Sequence, residues 1–356
     1  MEQLIEQLSN AFGVSGQENE VRQIFSDELN QKLGQDNLGG LFAKLGNEGP
    51  KVMLTAHMDE IGFMVQSVQK NGFINFVAVG GWWSHSLPSQ RVKIKNMVGE
   101  KILGIIGTKP PHFLPEEERK KVMPIDSMYI DIGADSAEEV LEDYAIKPGC
   151  FIVPDSTYTP LGNNGKYTGK ALDNRLGVCA LIEATKNLKK EDLPCNLYSV
   201  ATVQEEVGLR GAQTMTTKIL PDVAIILEGP PADDTPGFDR ATAQGQLQKG
   251  VQIRLMDPTA IMNQPLANLI EQTAKEAGIP CQVTVRKSGG TDAGQIQLKG
   301  SGVPVVVLGV PARYIHSHNS VFHIDDLKAM VQLIKKVILK LDSQQVKSFT
   351  DFVPEL

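Results

Sequence analysis

The spacing of apolar residues along this 356-residue chain changes more than once, and each change marks a different kind of structure. Near the start, Val21, Ile24, Phe25 and Leu29 recur at the three- and four-residue steps of one helix face. Ser15-Gly16-Gln17-Glu18 stands just before them with the spacing of a capping box, which predicts that this turn opens the helix. Lys51 to Thr55, KVMLT, is a short apolar run that stops abruptly at Ala56-His57-Met58-Asp59. Such a run predicts a buried strand with polar chemistry at its C-terminal end.

From about Gly62 to Tyr158 the pattern becomes β-rich. FMVQSV, FINFVAV, RVKIKNMVGEKILGIIG and SMYIDIG are separated by turn signals such as Asn71-Gly72. Ser136-Ala137-Glu138-Glu139 opens one short helix among them. Trp82 and Trp83 are adjacent in GGWWSHS. On a strand they would point to opposite faces, one into a core and the other needing a partner.

After Lys170 helical and strand patterns alternate. LDNRLGVCALIEATKNL and NQPLANLIEQTAKEAG read as helices, NLYSVATVQ, VAIILEG and PVVVLG as strands. The last helix, DDLKAMVQLIKKVILKL, sets Leu327, Met330, Val331, Ile334, Ile338 and Leu341 on one face. The alternation predicts an α/β fold whose parallel or mixed sheet is covered by helices on both faces. A small β-rich domain, assigned to 65–161, interrupts a discontinuous main domain of 1–64 and 162–356.

Composition narrows the function. Hydrophobic residues make up 41% and charged residues 22%, with a formal net charge of −7. The acidic balance argues against a nucleic-acid partner, and the run Glu116 to Lys121 mixes both signs as a solvated face does. Cys150, Cys179, Cys195 and Cys281 lie far apart with no C-x-x-C pair, against a disulfide framework or a thiolate metal site. Neither a signal-peptide pattern nor an apolar run of about 20 residues is present. A soluble, cytoplasmic protein without a membrane partner is expected.

The chemistry gathers at strand ends. His57 and Asp59 follow one apolar strand, Glu205 and Glu206 follow another, Glu228 ends a third, and His316 lies in a loop after a fourth. Asp173 stands where GKAL enters a helix. In open α/β sheets ligands collect beyond the carboxyl ends of the strands. Nitrogen and carboxylate donors without thiolates suit zinc, cobalt or manganese. Each residue also has a plainer reading: a helix-start acid for Asp173, a turn role for Glu228, a solvated pair for Glu205-Glu206. An adjacent pair of acids following a strand nonetheless calls for a cation or a raised pKa.

The segments AHMDEIGFMV, GKALDNRLGVCALIEA, TVQEEVGLRGA, GGTDAG and RYIHSH resemble, in order and spacing, those of the glutamyl and deblocking aminopeptidases, the tetrahedral or TET-type dinuclear metallopeptidases. The resemblance spans nearly the whole chain. It implies a peptidase core with a β insert, and two divalent metal ions per subunit, zinc first, cobalt or manganese otherwise. Asp173 would bridge them, His57 and Glu228 completing one site, Glu206 and His316 the other. Glu205 would be the general base for a metal-activated water and Asp59 the partner of His57. The Asp173–Asn174 peptide is expected to be cis and GGTDAG to line the cleft. Short peptides would be the substrates, and the insert would pair subunits into dimers that build a dodecamer.

Two departures stand out: Glu228 replaces the Asp common in relatives, and RYIHSH carries His318 where Ser-Pro is usual after the His. His318 is expected to be a solvated loop residue, the alternative being one that backs the site from a further shell or faces substrate. His85 and His323 are expected to be structural, and His112 a residue that could reach a neighbouring subunit's site. Competing readings are a carboxypeptidase or deacylase on the same metal chemistry, a metal-independent glycosidase, and an inactive shell or peptide-binding protein. No arginine in the motifs, Arg175, Arg210 or Arg313, identifies the preferred N-terminal residue.

Overall fold

A computed structural model describes residues 1–239 and 241–353. Among them, four parallel strands lie side by side: Asn196–Thr202, Lys51–His57, Val223–Glu228 and Val305–Gly309. Val251–Asp257 adds antiparallel beyond the last of these and pairs in turn with Ala260–Ile261 and Cys281–Val285. Leu41–Leu45 and Leu33–Gln35 extend the opposite edge antiparallel, completing a nine-stranded mixed sheet among the described residues.

Every residue of Val223–Glu228 and of Val305–Gly309 is buried, so both faces of the sheet are covered. The helix Leu172–Lys186 packs on Lys51–His57 and against the helices Glu2–Asn10 and Ile324–Ile338. A second group, Arg210–Ile219 with Ala293–Ile296, packs on Asn196–Thr202 and Val305–Gly309. The α/β architecture read from the alternation is therefore the observed one. No helix among the described residues is long and apolar enough to cross a membrane.

Directly after His57 the chain leaves this sheet and forms a closed six-stranded barrel from Gly62–Val68, Ile74–Val79, Tyr129–Asp131, Lys101–Gly107, Arg91–Lys95 and Phe151–Pro154. The barrel has its own core, with Phe63, Val65, Ile74, Val92, Ile94 and Ile152, separate from that of the sheet. The two tryptophans lie in a loop rather than on a strand. Trp82 stacks on Phe63 at 4.7 Å and its Nε1 donates to the Gly62 carbonyl at 2.9 Å, while Trp83 is 68% exposed.

The two Ser-x-x-Glu segments behave differently. Ser136 accepts from the Glu139 amide at 3.1 Å and caps the helix Ala137–Glu142, as expected. Ser15 does not cap. The first helical stretch is two helices, Glu2–Asn10 and Asn19–Leu29, and the second has no side-chain cap. The Ser15 hydroxyl is drawn away by a buried carboxylate, donating to Asp59 at 2.6 Å.

Candidate active site

Strand register brings the acids and histidines together. His57, the last residue of its strand, pairs with Thr202, and the chain beyond Thr202 carries Glu205 and Glu206. Glu228 ends the next strand opposite Gly309, whose following loop delivers His316. Asp173 reaches the same edge from the start of the helix Leu172–Lys186, where Asp173 and Asn174 leave helical geometry and are joined by a cis peptide. Asn174 donates to the Leu227 carbonyl at 2.7 Å and accepts from Gly177, tying this turn to the end of the Glu228 strand. Gly229 makes the approach feasible: a Cβ there would come within 2.6 Å of the Leu172 carbonyl oxygen.

Asp173 sits in the middle. Its Oδ1 lies 3.4 Å from His57 Nε2, and its Oδ2 lies 3.5 Å from His316 Nε2. Glu228 joins the first histidine at 3.7 Å, and Glu206 joins the second at 3.3 Å. Two sets of three donors thus share Asp173, each with its ligand atoms within 4.8 Å of one another. Glu205 lies 4.0 Å from His57 Nε2. Glu228 Oε1 is buried without a hydrogen-bond partner among the described residues, an oxygen left for a cation. The donor set therefore fits divalent metal ions.

Electrostatics favours the same reading. Burial pushes Glu205 and Glu228 well above the usual carboxylate range, opposed by His57 and reinforced by neighbouring carboxylates. Burial and then Asp173 raise Glu206 to about 8. Burial opposes ionisation of Asp173 too, but hydrogen bonds from His316 and His57 hold it below its ordinary value. Burial would lower the His316 imidazole, yet Asp173 and Glu206 raise it to about 9. His57 is likewise held well above its ordinary value against its burial, chiefly by Glu205 and Asp173. Crowded like charges that disfavour one another's ionisation are relieved by bound cations.

Asp59 has a broader role than partnering one imidazole. His57 Nδ1 lies 3.1 Å from the Asp59 main-chain oxygen and 3.4 Å from Oδ1. The carboxylate accepts the amides of Glu205 and Glu206 at 3.0 and 3.1 Å. His316 Nδ1 lies 2.9 Å from the Gly81 carbonyl, which fixes Nε2 as the nitrogen facing Asp173 and Glu206. Ala171, Gln204, Leu209, Tyr314 and His316 all have φ between 55° and 60°. Left-handed backbone at non-glycine residues concentrates at functional sites.

Several supporting residues lie inside the quoted motifs but carried no role there. Glu60 and Lys170 are buried and paired at 2.7 Å, and the buried Arg175 donates to Glu60 and to the Met58, Leu8 and Gly13 carbonyls. Burial lowers Lys170 to about 8. Asp292, in GGTDAG, accepts from Thr202 at 2.7 Å, and burial raises it to about 6. Only their places within the motifs could have drawn attention to them.

A cleft of about 470 Å³ opens over the cluster. Leu209, Pro230, Pro231 and Ile315 give it apolar walls, and Gly289, Gly290 and Thr291 of GGTDAG line it as the resemblance implied. Among the described residues Arg254 is the arginine that lines it, near Asp257 at 3.4 Å. Arg175 is buried away from it, and Arg313 is taken up by Asp234 at 2.7 Å. His318 corrects the expectation of a solvated loop residue: it is 3% exposed and packs on Trp82 at 5.4 Å. His323 is structural, its Nδ1 accepting from the Asp325 amide at the start of the last long helix.

Residues 39–333 match the family model of the M42 glutamyl aminopeptidases. The glutamyl aminopeptidase of Lactococcus lactis subsp. cremoris is 37% identical over 356 residues, 98% of each chain. The solved TET aminopeptidase of a marine sediment archaeon of the Thaumarchaeota is 40% identical, with a TM-score of 0.94 over 98% of both chains. The TET1 peptidase of Pyrococcus horikoshii, which can assemble into a tetrahedron or a large octahedral shell, is 32% identical. Its TM-score is 0.84, covering 95% of this chain and 98% of that one. Matched over most of its length by sequence and over nearly all of it by structure, the chain belongs to the M42 glutamyl aminopeptidases, a family of metal-dependent aminopeptidases.

Proposed function

We propose that this chain is a dinuclear metallo-aminopeptidase that removes the N-terminal residue of short peptides, with Glu205 as general base. The observation that carries this reading is Asp173, whose two carboxylate oxygens face different histidines at 3.4 and 3.5 Å. His57, Asp173 and Glu228 would hold one cation, and Asp173, Glu206 and His316 the other. When bound, the two ions, zinc first and cobalt or manganese otherwise, supply Lewis acidity to the scissile carbonyl and acidify water.

The side chains divide the remaining work. Glu205 takes the proton of the attacking water and returns it to the leaving amine. Asp59 touches no reacting atom; it orients His57 and the main chain of Glu205 and Glu206. The acid-lined end of the cleft receives the free α-ammonium group, which accounts for removal of single N-terminal residues. Arg254 supports a preference for an acidic first side chain, since among the described residues it is the arginine on the cleft wall. Exposed Trp83 and Phe113, at 68% and 71%, support pairing through the barrel. Dimers would then assemble into a dodecameric, tetrahedral shell, with His112 near a neighbouring subunit's site. Four free cysteines suit a cytoplasmic setting.

The test is a panel of glutamyl-, leucyl- and lysyl-nitroanilides, run after chelation and again after adding back zinc, cobalt or manganese. Activity should vanish on chelation, return with two metal ions per subunit, and be absent on N-acylated substrates. Chelator-resistant turnover, or equal cleavage of acylated peptides, would overturn the reading. Arg254→Leu should erase any preference for glutamyl over leucyl substrates.

A further inference from the structure

We propose that Ser15 and Glu18 are positioning residues for the general base, bracing the main chain that carries Glu205 and Glu206. This rests on the assignment of Glu205 as base made above. Three successive amides are involved. Gln204 N–H donates to Glu18 Oε1 at 3.2 Å, Glu205 N–H to Asp59 Oδ1 at 3.0 Å, and Glu206 N–H to Asp59 Oδ2 at 3.1 Å. Both accepting side chains are fully buried.

Gln204 is held with φ of 55°, a conformation that a non-glycine residue keeps only when its surroundings impose it. Glu18 is the side chain that holds the amide of this residue. Glu18 is itself fixed by the Gly16 amide at 2.8 Å and by Arg22 at 3.3 Å. Ser15 performs the matching task for Asp59, donating its hydroxyl to Oδ2 at 2.6 Å. The Ser15–Glu18 turn therefore grips both carboxylates that grip the Glu205 loop.

The alternative role for these residues, capping the helix Asn19–Leu29, is not the one they play. Neither forms a side-chain cap bond to that helix. Removing the Glu18 acceptor would leave the Gln204 amide without its partner and free the left-handed turn to relax. Both Glu205 and Glu206 would keep their amide bonds to Asp59, so metal binding should survive, while relaxation of the Gln204 turn re-aims the Glu205 side chain directly after it. A misplacement of about 1 Å in catalytic geometry costs on the order of 100-fold in rate.

The experiment compares Glu18→Leu and Glu18→Gln with the wild type in kcat, KM, metal content per subunit and thermal unfolding. Glutamine keeps an oxygen for the Gln204 and Gly16 amides, whereas leucine does not. Glu18→Leu should lower kcat roughly 10- to 100-fold with KM and metal content near wild type, and Glu18→Gln should recover most of the loss. Wild-type kcat in folded Glu18→Leu would overturn the proposal, as would equal impairment of the two variants or a loss that follows missing metal. If Glu18→Leu does not fold, Ser15→Ala takes its place, and an unchanged kcat there overturns the proposal. Glu205→Gln, measured in parallel, separates the two levels. If it turns over normally, the base assignment fails and this inference with it; if it alone is inactive, only the bracing role fails.

Discussion

His57 and Glu228 occupy the last positions of two adjacent parallel strands, whereas Glu206 and His316 are carried on loops beyond two others. The ligands proposed on the two sides are alike, an imidazole and a glutamate each, with one oxygen of Asp173 facing each imidazole. Their settings are not. The His57 and Glu228 side chains are 2% and 6% exposed, while His316 is 37% exposed and reaches its place through left-handed backbone at Tyr314 and at His316 itself. Ligands on sheet strands are held more tightly than ligands on loops. The two halves of the proposed centre should therefore differ in metal affinity, the strand-built half binding more tightly.

Residues that serve both halves give the largest expected effects. Asp173→Ala removes the shared carboxylate, so both ions should be lost and turnover should fall to that of chelated enzyme. Retention of two ions per subunit by that variant would end the bridging assignment. Glu205→Gln should keep both ions yet lose at least about 100-fold in kcat, the lower end for a missing general base. Turnover near wild type would reject the role.

Next comes the contrast itself. Slow titration with a chelator should remove metal in two steps, and His316→Ala should abolish the weaker step while keeping one ion per subunit. His57→Ala should remove the tighter step instead. A single step in the wild type, or identical behaviour of the two variants, would show that strand and loop placement do not matter here.

The same contrast explains what could be read from the sequence. The central strands declared themselves because residues buried on both faces leave a continuous apolar run, and VAIILE and PVVVLG hardly admit another structure. His57 and Glu228 were legible as the polar residues where such runs stop. The strand Val251–Asp257 was not recognised, because the buried Gln252 and Arg254 interrupt its apolar pattern. Arg254 went unseen with it, although it lines the cleft. His316 and Glu205 were placed as residues after strands, but nothing local reports that Gly81, from the barrel, would orient His316. Ser15 and Glu18 were misread for a physical reason: the spacing of a capping box says nothing about a stronger, distant partner. Asp59 outcompetes the helix for the Ser15 hydroxyl, whereas Ser136 has no such rival among the described residues and caps as its pattern predicts.

The smallest expected effect tests how far the loop-built half depends on the barrel. Gly81, whose carbonyl meets His316 Nδ1 at 2.9 Å, belongs to the segment just after the barrel strand Ile74–Val79. Trp82 fixes that segment, with its indole N–H on the Gly62 carbonyl, one ring face on Phe63, and His318 of the His316 loop against it. Trp82→Leu keeps apolar bulk but loses the indole hydrogen bond and the stack, so the Gly81 carbonyl should lose its fixed position. Loss of the partner that orients a ligating histidine typically costs 10- to 100-fold in metal affinity. Because the carbonyl is displaced rather than deleted, we expect the lower end, about tenfold, confined to the ion held by His316. Trp83→Ser is the control. It removes an exposed neighbour whose ring packs on His85 at 4.9 Å, so it should leave both affinities unchanged while weakening subunit pairing. Calorimetric metal titration of both variants, with light scattering to follow assembly, gives the answer. Equal weakening of both ions by Trp82→Leu would mean that the barrel steadies the whole centre, and no weakening would mean that the His316 loop holds its geometry alone.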